Sequence, residues 1–209
     1  MAAGNLQRWW LRRRHGGGEW AGLLAPPPPD EWVSLDLETT GLDPRSDHIL
    51  SLAAVPVRDG AVRMSERFTR NVRAERAFGI DSIRHHRITP EEAAAGGGVL
   101  ATVREFVAWL GPRRLLGYNI GFDIAMLAPH VRAITGFELP NPADDLADAA
   151  QAALRRVSPD AAAAANLAFD RIAGNLGVPI LGRHDALGDA LTVAACWMVL
   201  QRAGYRERD

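Results

Sequence analysis

The sequence contains no lysine, a single cysteine, and no apolar run long enough to cross a bilayer. Without a second thiol there is neither a disulfide framework nor a thiolate metal site. Cys196, set in the apolar stretch AACWMVL, reads as a small hydrophobe, which fits a reducing cytoplasm. A membrane span needs about 18 consecutive apolar residues, and no segment reaches that length. The basic amino-terminal stretch also lacks the uninterrupted apolar core of a signal peptide. The expectation is a soluble, cytoplasmic protein with no integral membrane contact. Excess charge is missing too. A formal net charge of −1 excludes a generally basic clamp that holds long duplexes through many phosphate contacts, so any contact with nucleic acid has to be local. All 24 lysine-or-arginine positions are arginine, which stays ionised and grips phosphate oxygens bidentately. The codon usage of a GC-rich genome accounts for the same bias.

At 209 residues the chain suffices for one α/β domain with a well-buried core. Residues 1–30 differ from the rest: Trp9-Trp10, then Arg12-Arg13-Arg14, then Gly16 to Gly18, then Pro26 to Pro29. Four successive prolines favour a stiff extended linker, so residues 1–30 read as a basic, Trp-containing extension and residues 31–209 as the domain. The segment QRWWLRRR suits a short helix that docks on a partner, such as a polymerase, or on a membrane surface; alternatively its tryptophans pack back on the domain.

Beyond the linker, WVSLDLE predicts a central strand. HILSLAAVPV, Asp59-Gly60 and AVRMSERFTR predict a strand, a tight turn and a second strand. Thr89-Pro90-Glu91-Glu92 starts a helix that Gly96 to Gly98 interrupt and VLATVREFVAWL resumes. RRLLGYNI reads as a strand entering a loop, FDIAMLAPHVRAI as a helix, and further helices fall near residues 145–156, 166–176 and 186–202. A β-rich start followed by alternating strand and helix predicts a mixed sheet flanked by helices.

Three groups of residues carry chemistry. In Asp36-Leu37-Glu38 the acids are two apart on a strand and project from one face. Like charges there repel and lose hydration, costs that a cation offsets. Oxygen ligands without thiolates favour Mg²⁺ or Mn²⁺, although a solvent-facing strand can carry the same alternation. Thr39-Thr40-Gly41-Leu42 follows, a turn whose amides and hydroxyls suit a sugar hydroxyl or phosphate. The second group, Gly117-Tyr118-Asn119-Ile120-Gly121-Phe122-Asp123, places an amide and a carboxylate at a helix start, where Asp123 either reaches the same cation or stabilises the first turn. The third is His184-Asp185-Ala186-Leu187-Gly188-Asp189. Asp185 is an N-cap, Asp189 lies one turn inside the last helix, and His184 precedes the cap on a loop, where a near-neutral pKa suits a general base.

Strand D-x-E with TTG, then N-x-x-F-D, then H-x-A-x-x-D, in this order, resembles the DEDDh exonucleases, the family that includes the proofreading epsilon subunit of bacterial DNA polymerase III. The resemblance runs from about Trp32 to the last helix. It implies an RNase H-like fold in which Asp36, Glu38, Asp123 and Asp189 bind two divalent metal ions, Mg²⁺ or Mn²⁺. It also implies that His184 deprotonates the attacking water, as in the histidine branch of the family. The substrate so implied is the 3' end of a single-stranded or frayed nucleic acid, with Thr39, Thr40 and Gly41 around the terminal 3' hydroxyl, Leu42 against the last base and Asn119 nearby. SIRHHRITPEE is similar to the family's I-H-x-I-T segment, with His85 or His86 in register. Where the family often has His-Asn before its second-group aspartate, this chain has Tyr118-Asn119. An RNA-trimming enzyme and a non-catalytic, exonuclease-like adaptor are the alternative expectations.

Overall fold

The computed structural model describes residues 3–73 and 88–204. His85 and His86 lie outside them. The strands are β1 (Glu31–Thr39), β2 (Ile49–Arg58), β3 (Ala61–Val62), β4 (Phe68–Asn71), β5 (Arg114–Gly117) and β6 (Ala143–Asp145). They form one sheet ordered β3-β2-β1-β5-β6, with β4 also on the outer edge of β2. β1, β2, β3 and β4 pair antiparallel, whereas β5 and β6 join parallel. The described helices are α1 (Ala3–His15), α2 (Pro90–Ala95), α3 (Val99–Leu110), α4 (Ile120–Thr135), α5 (Leu146–Val157), α6 (Pro159–Ala164), α7 (Phe169–Asn175) and α8 (Ala186–Arg202). None of them is long and apolar enough to cross a membrane. The expected mixed sheet flanked by helices is the fold observed.

Alternation along β1 divides the molecule. Val33, Leu35 and Leu37 enter a core with Val103, Phe106, Val107 and Leu110 of α3 and Met126, Leu127 and Val131 of α4. The α3 residues recur every three or four positions, so one helical stripe covers that face of the sheet. The intervening residues of β1 face α8: Trp32 packs on Trp197 with ring centroids 5.4 Å apart, and the Ser34 hydroxyl donates to the Ala190 carbonyl at 2.7 Å. Asp36 and Glu38 continue that series and are therefore turned toward α8.

Asp59 and Gly60 both adopt positive φ, 55° and 66°, the two-residue hairpin turn that Asp-Gly predicts. The strand expected after it is broken, however. β3 ends at Val62, Met64–Glu66 form a 3₁₀ turn, and β4 resumes further along β2. Pro56 lies opposite the break: its carbonyl accepts from Arg63 N at 2.8 Å, but it has no N–H to offer an outer strand.

The segment before β1 is packed, not trailing. Leu23 and Leu24 are buried in the core under α3 and α4, with Leu11 and Trp20 against it. Arg8 donates to the carbonyls of Pro140 (2.9 Å), Leu23 (3.1 Å) and Ala25 (2.6 Å). Trp9 and Trp10 stay 51% and 61% exposed, so an arginine and a leucine fasten α1 to the domain instead of the tryptophan pair.

Candidate active site

β5 pairs with β1 only from Trp32 to Ser34 and ends at Gly117, after which the chain turns into α4. β1 runs on beyond its parallel partner, so the N–H of Leu37 is left for another acceptor. The carboxylate of Asp123, in the first turn of α4, accepts it at 3.1 Å through Oδ1. A second acid holds that turn in place: Asp145 accepts from Ile120 N at 2.9 Å and from Ala147 N at 2.8 Å, fastening α4 to the start of α5. Asp145 was legible only as a helix boundary, because its partner on α4 is distant in sequence.

The last acid arrives on α8. Gly188 packs so closely on the preceding loop that a Cβ there would lie 2.5 Å from the Gly182 carbonyl oxygen. Asp185 caps the helix by accepting from Gly188 N at 3.1 Å. Among the described residues, Asp36, Glu38 and Asp189 then bring one carboxylate oxygen each within 4.8 Å of one another. Asp189 is 4% exposed, and its Oδ1 is buried without a hydrogen-bond partner. Its Oδ2 is fully engaged: Arg183 Nη1 donates at 2.6 Å and His184 N at 3.2 Å. Arg183 is held in turn by Asp170, to which Nε donates at 3.0 Å, and by Phe169, whose ring lies 4.4 Å beneath the guanidinium. Arg183 escaped the sequence reading, since nothing local marks it among so many arginines.

The acids share an unfavourable field. Asp36 is pushed well above the usual carboxylate range by burial first, then by the charges of Asp123, Glu38 and Asp189. Burial, with Asp189 and Asp185, raises Glu38 to about 7. Asp123 rises to about 8 through burial, although backbone hydrogen bonds from its own N–H and that of Leu37 oppose the rise. Asp189 is also raised by burial, against the pull of Arg183 and the His184 N–H. A buried, unpartnered oxygen beside two further carboxylates that resist ionisation suits the donor chemistry of a hard divalent cation, whose charge would offset all of these costs. The residues present therefore fit Mg²⁺ or Mn²⁺.

His184 sits at positive φ, 60°, half-buried in the loop between Gly182 and Asp185, with its backbone N–H on Asp189 Oδ2. At the other margin of the acids, Thr39 donates its hydroxyl to the Gly41 carbonyl at 2.7 Å and Thr40 its own to Asp47 at 2.9 Å. Asp47 also accepts from Asp43 N, and its carboxylate passes so near Gly41 that a Cβ there would lie 2.6 Å away. Both threonine hydroxyls are thus spent on the turn. Leu42 projects from it 83% exposed. Asn119 is exposed at φ 54°, with no side-chain capping bond, on the turn that leads into Asp123.

The sequence model of the exonuclease family RNase_T matches residues 33–196. Among curated proteins, the chain is 26% identical over 167 residues to the PolC-type DNA polymerase III of Thermotoga petrophila, a match covering 80% of this chain and 12% of that protein. It is 38% identical over 100 residues to the PolC-type DNA polymerase III of Latilactobacillus sakei, covering 46% of this chain and 7% of that one. The chain therefore spans a small fraction of these relatives. Among solved structures, Escherichia coli exonuclease I in a zinc-bound complex with single-stranded DNA superposes with a TM-score of 0.70 at 20% identity, covering 86% of this chain and 42% of that one. That likeness concerns the fold.

Proposed function

This chain belongs to the DEDDh, DnaQ-like exonuclease family, and we propose on that premise that it removes nucleotides singly from the 3' end of single-stranded or frayed DNA. The observation that carries the reading is the convergence of Asp36, Glu38 and Asp189, with the buried, unpartnered Oδ1 of Asp189 among them. Asp123 approaches from α4 as the fourth acid, and Asp36 feels its charge more than any other.

In this reading Asp36, Glu38, Asp123 and Asp189 hold two Mg²⁺ or Mn²⁺ ions. When bound, the cations supply the positive charge that polarises the scissile phosphodiester, acidifies water and stabilises the leaving 3' oxygen. His184 takes the proton of the attacking water, and its loop position beside Asp189 supports that role. The attack breaks the P–O bond to the leaving 3' oxygen, releases a nucleoside 5'-monophosphate and leaves a chain one unit shorter. Thr39, Thr40 and Gly41 contribute backbone to the terminal sugar, because their hydroxyls and close contacts are spent on the turn itself. The exposed Leu42 wedges against the last base, and Asn119 lines the opposite margin. Such a wedge favours single-stranded or frayed ends, since unstacking a paired base costs a few kcal/mol.

With an acidic pocket neutralised by its own cations, an anionic substrate is accommodated without a basic surface around the acids, which reconciles a nucleic-acid substrate with a net charge of −1. The PolC-type relatives support a polymerase setting, and proofreading is the role proposed. The experiment is a panel of 5'-labelled single-stranded DNA, mismatched duplex and RNA with Mg²⁺. Stepwise shortening from the 3' end of the DNA, abolished by chelation, is expected. Equal degradation in chelator, or shortening from the 5' end, rejects the assignment.

A further inference from the structure

At the far end of α4 from the acids, α1 and the proline segment enclose a groove of about 590 Å³ lined by Arg8, Trp9, Arg12, Arg13, Pro26 and Pro27. Arg8 is committed to the fold. It is 8% exposed, its Nη groups are given to three carbonyls, and its Nε is left without an acceptor. Arg12, Arg13 and Arg14 are exposed, and among the described residues no carboxylate stands within ion-pairing distance of them. Arg13 lies 5.6 Å from the centre of the Trp9 ring, and Trp9 meets Trp10 edge-on at 5.6 Å. No acid precedes Glu19, so the four arginines of α1 are uncompensated locally, and with a whole-chain charge of −1 the remainder of the protein carries −5. Apart from α1 the chain is net acidic, and among the described residues α1 presents a basic, aromatic patch.

Unpaired guanidinia around a concave slot walled by an indole and two proline rings match a ligand that offers flat rings and anions alternately. An acidic peptide would use the charges and leave the ring faces idle. A membrane surface would need the apolar side of α1 turned outward, whereas Leu11 packs against the core. We propose that this groove binds single-stranded nucleic acid, namely the upstream part of the strand whose 3' end lies among the acids. The proposal rests on the exonuclease reading for its geometry. α4 begins beside the acids and ends at Gly136, next to Phe137, whose ring lies 5.1 Å from that of His15 on α1. Its 16 residues extend about 24 Å. At ~3.4 Å per stacked nucleotide, roughly seven nucleotides are needed to occupy both places. A dinucleotide cannot, and so serves as an internal control.

The test compares the full-length protein with the Arg12→Ala/Arg13→Ala double variant and with Trp9→Ala, all exposed positions away from the acids. Binding of a labelled single strand of about 30 nucleotides is followed by anisotropy in chelator, and hydrolysis of the same strand and of a dinucleotide is followed with Mg²⁺. The expected result is KM for the long strand raised at least about tenfold, with kcat unchanged and dinucleotide hydrolysis unaffected. The double variant should also show a slope of log affinity against log salt shallower by about 1.4, as for two lost phosphate contacts. Unchanged long-strand binding, or equal loss on both substrates, overturns the proposal. So does loss of binding to poly-glutamate or phosphatidylglycerol vesicles with the long strand unaffected. If the parent protein hydrolyses neither substrate, the exonuclease reading fails, and the chelator experiment still decides the groove: salt-dependent binding lost in the variants upholds it, and binding retained overturns it.

Discussion

Arg183 donates to Asp189 at 2.6 Å through the same oxygen, Oδ2, that accepts the His184 N–H, so that only Oδ1 of Asp189 is left buried and unpaired. The guanidinium thereby orients a proposed metal ligand and is the cation that opposes the raised pKa of Asp36, Glu38 and Asp189 alike. A fork that fixes one oxygen and frees the other is an outer-sphere device for aiming a ligand.

Replacing Arg183 separates its charge from its shape. Arg183→Gln is expected to lower the melting temperature in chelator and to reduce turnover by about 10–100-fold. Arg183→Lys should recover the melting temperature but not the turnover, because an ammonium supplies charge without the planar fork. Calorimetry in chelator alongside single-turnover hydrolysis checks both; full activity in the lysine variant would show that only the charge matters.

His184→Ala should keep the fold and the cation-induced rise in melting temperature while losing about 10²- to 10⁴-fold in turnover at neutral pH. Activity near that of the parent would remove the imidazole from the reaction.

Asp36→Asn should abolish Mg²⁺-dependent release of mononucleotides, yet melt higher than the parent protein in chelator at pH 8. The substitution removes a buried carboxyl group whose ionisation burial, Asp123, Glu38 and Asp189 all disfavour. A lower melting temperature in chelator would mean that the carboxylate supports the fold and not a cation.

The raised acids also set a pH dependence. With Glu38 near 7 and Asp123 near 8 in the folded protein, the native state binds more protons than the unfolded chain across the window above the ordinary carboxylate range. Their stabilising contribution is complete at low pH and is lost as pH rises through 7 and 8. Metal-free protein should thus melt lower at pH 8.5 than at pH 6, by at least about 2–4 °C. Mn²⁺ should remove most of that difference. A chelated protein that gains stability over this interval would contradict the shared-field description.

Gly188→Ala should be disproportionately harmful for one methyl group, since its Cβ would meet the backbone of Gly182 and Leu181 at under 3 Å. Forcing that contact costs about 1–3 kcal/mol and displaces the loop carrying Arg183 and His184, so turnover should fall with the melting temperature. Normal values of both would show that the loop has room to give.

Much of this architecture was legible in advance. The Asp59-Gly60 turn and the helices around Val99, Ile120 and Ala186 follow from short-range rules, whereas the convergence of D-x-E with the last helix was implied only by the family resemblance. The missed features share a cause. β6 is three residues, too short to show a period, and the outer strand breaks because Pro56 on a different strand lacks a donor. Packing of Trp9 and Trp10 back on the domain is the alternative the segment offers, yet Arg8 fastens α1, because the carbonyls of Leu23, Ala25 and Pro140 face it.

The sequence by itself determined which chemistry is at hand: acids two apart on a strand must share a face, and an aspartate one turn inside a capped helix must stay near the loop before it. Those relations hold within a single element, where backbone period alone sets direction. Only the tertiary structure decided that the free N–H of Leu37 is taken by Asp123, that Asp145 braces α4, and that Arg183 reaches from Asp170 to Asp189. Such contacts depend on where separate elements end relative to one another, and packing of the whole core settles that.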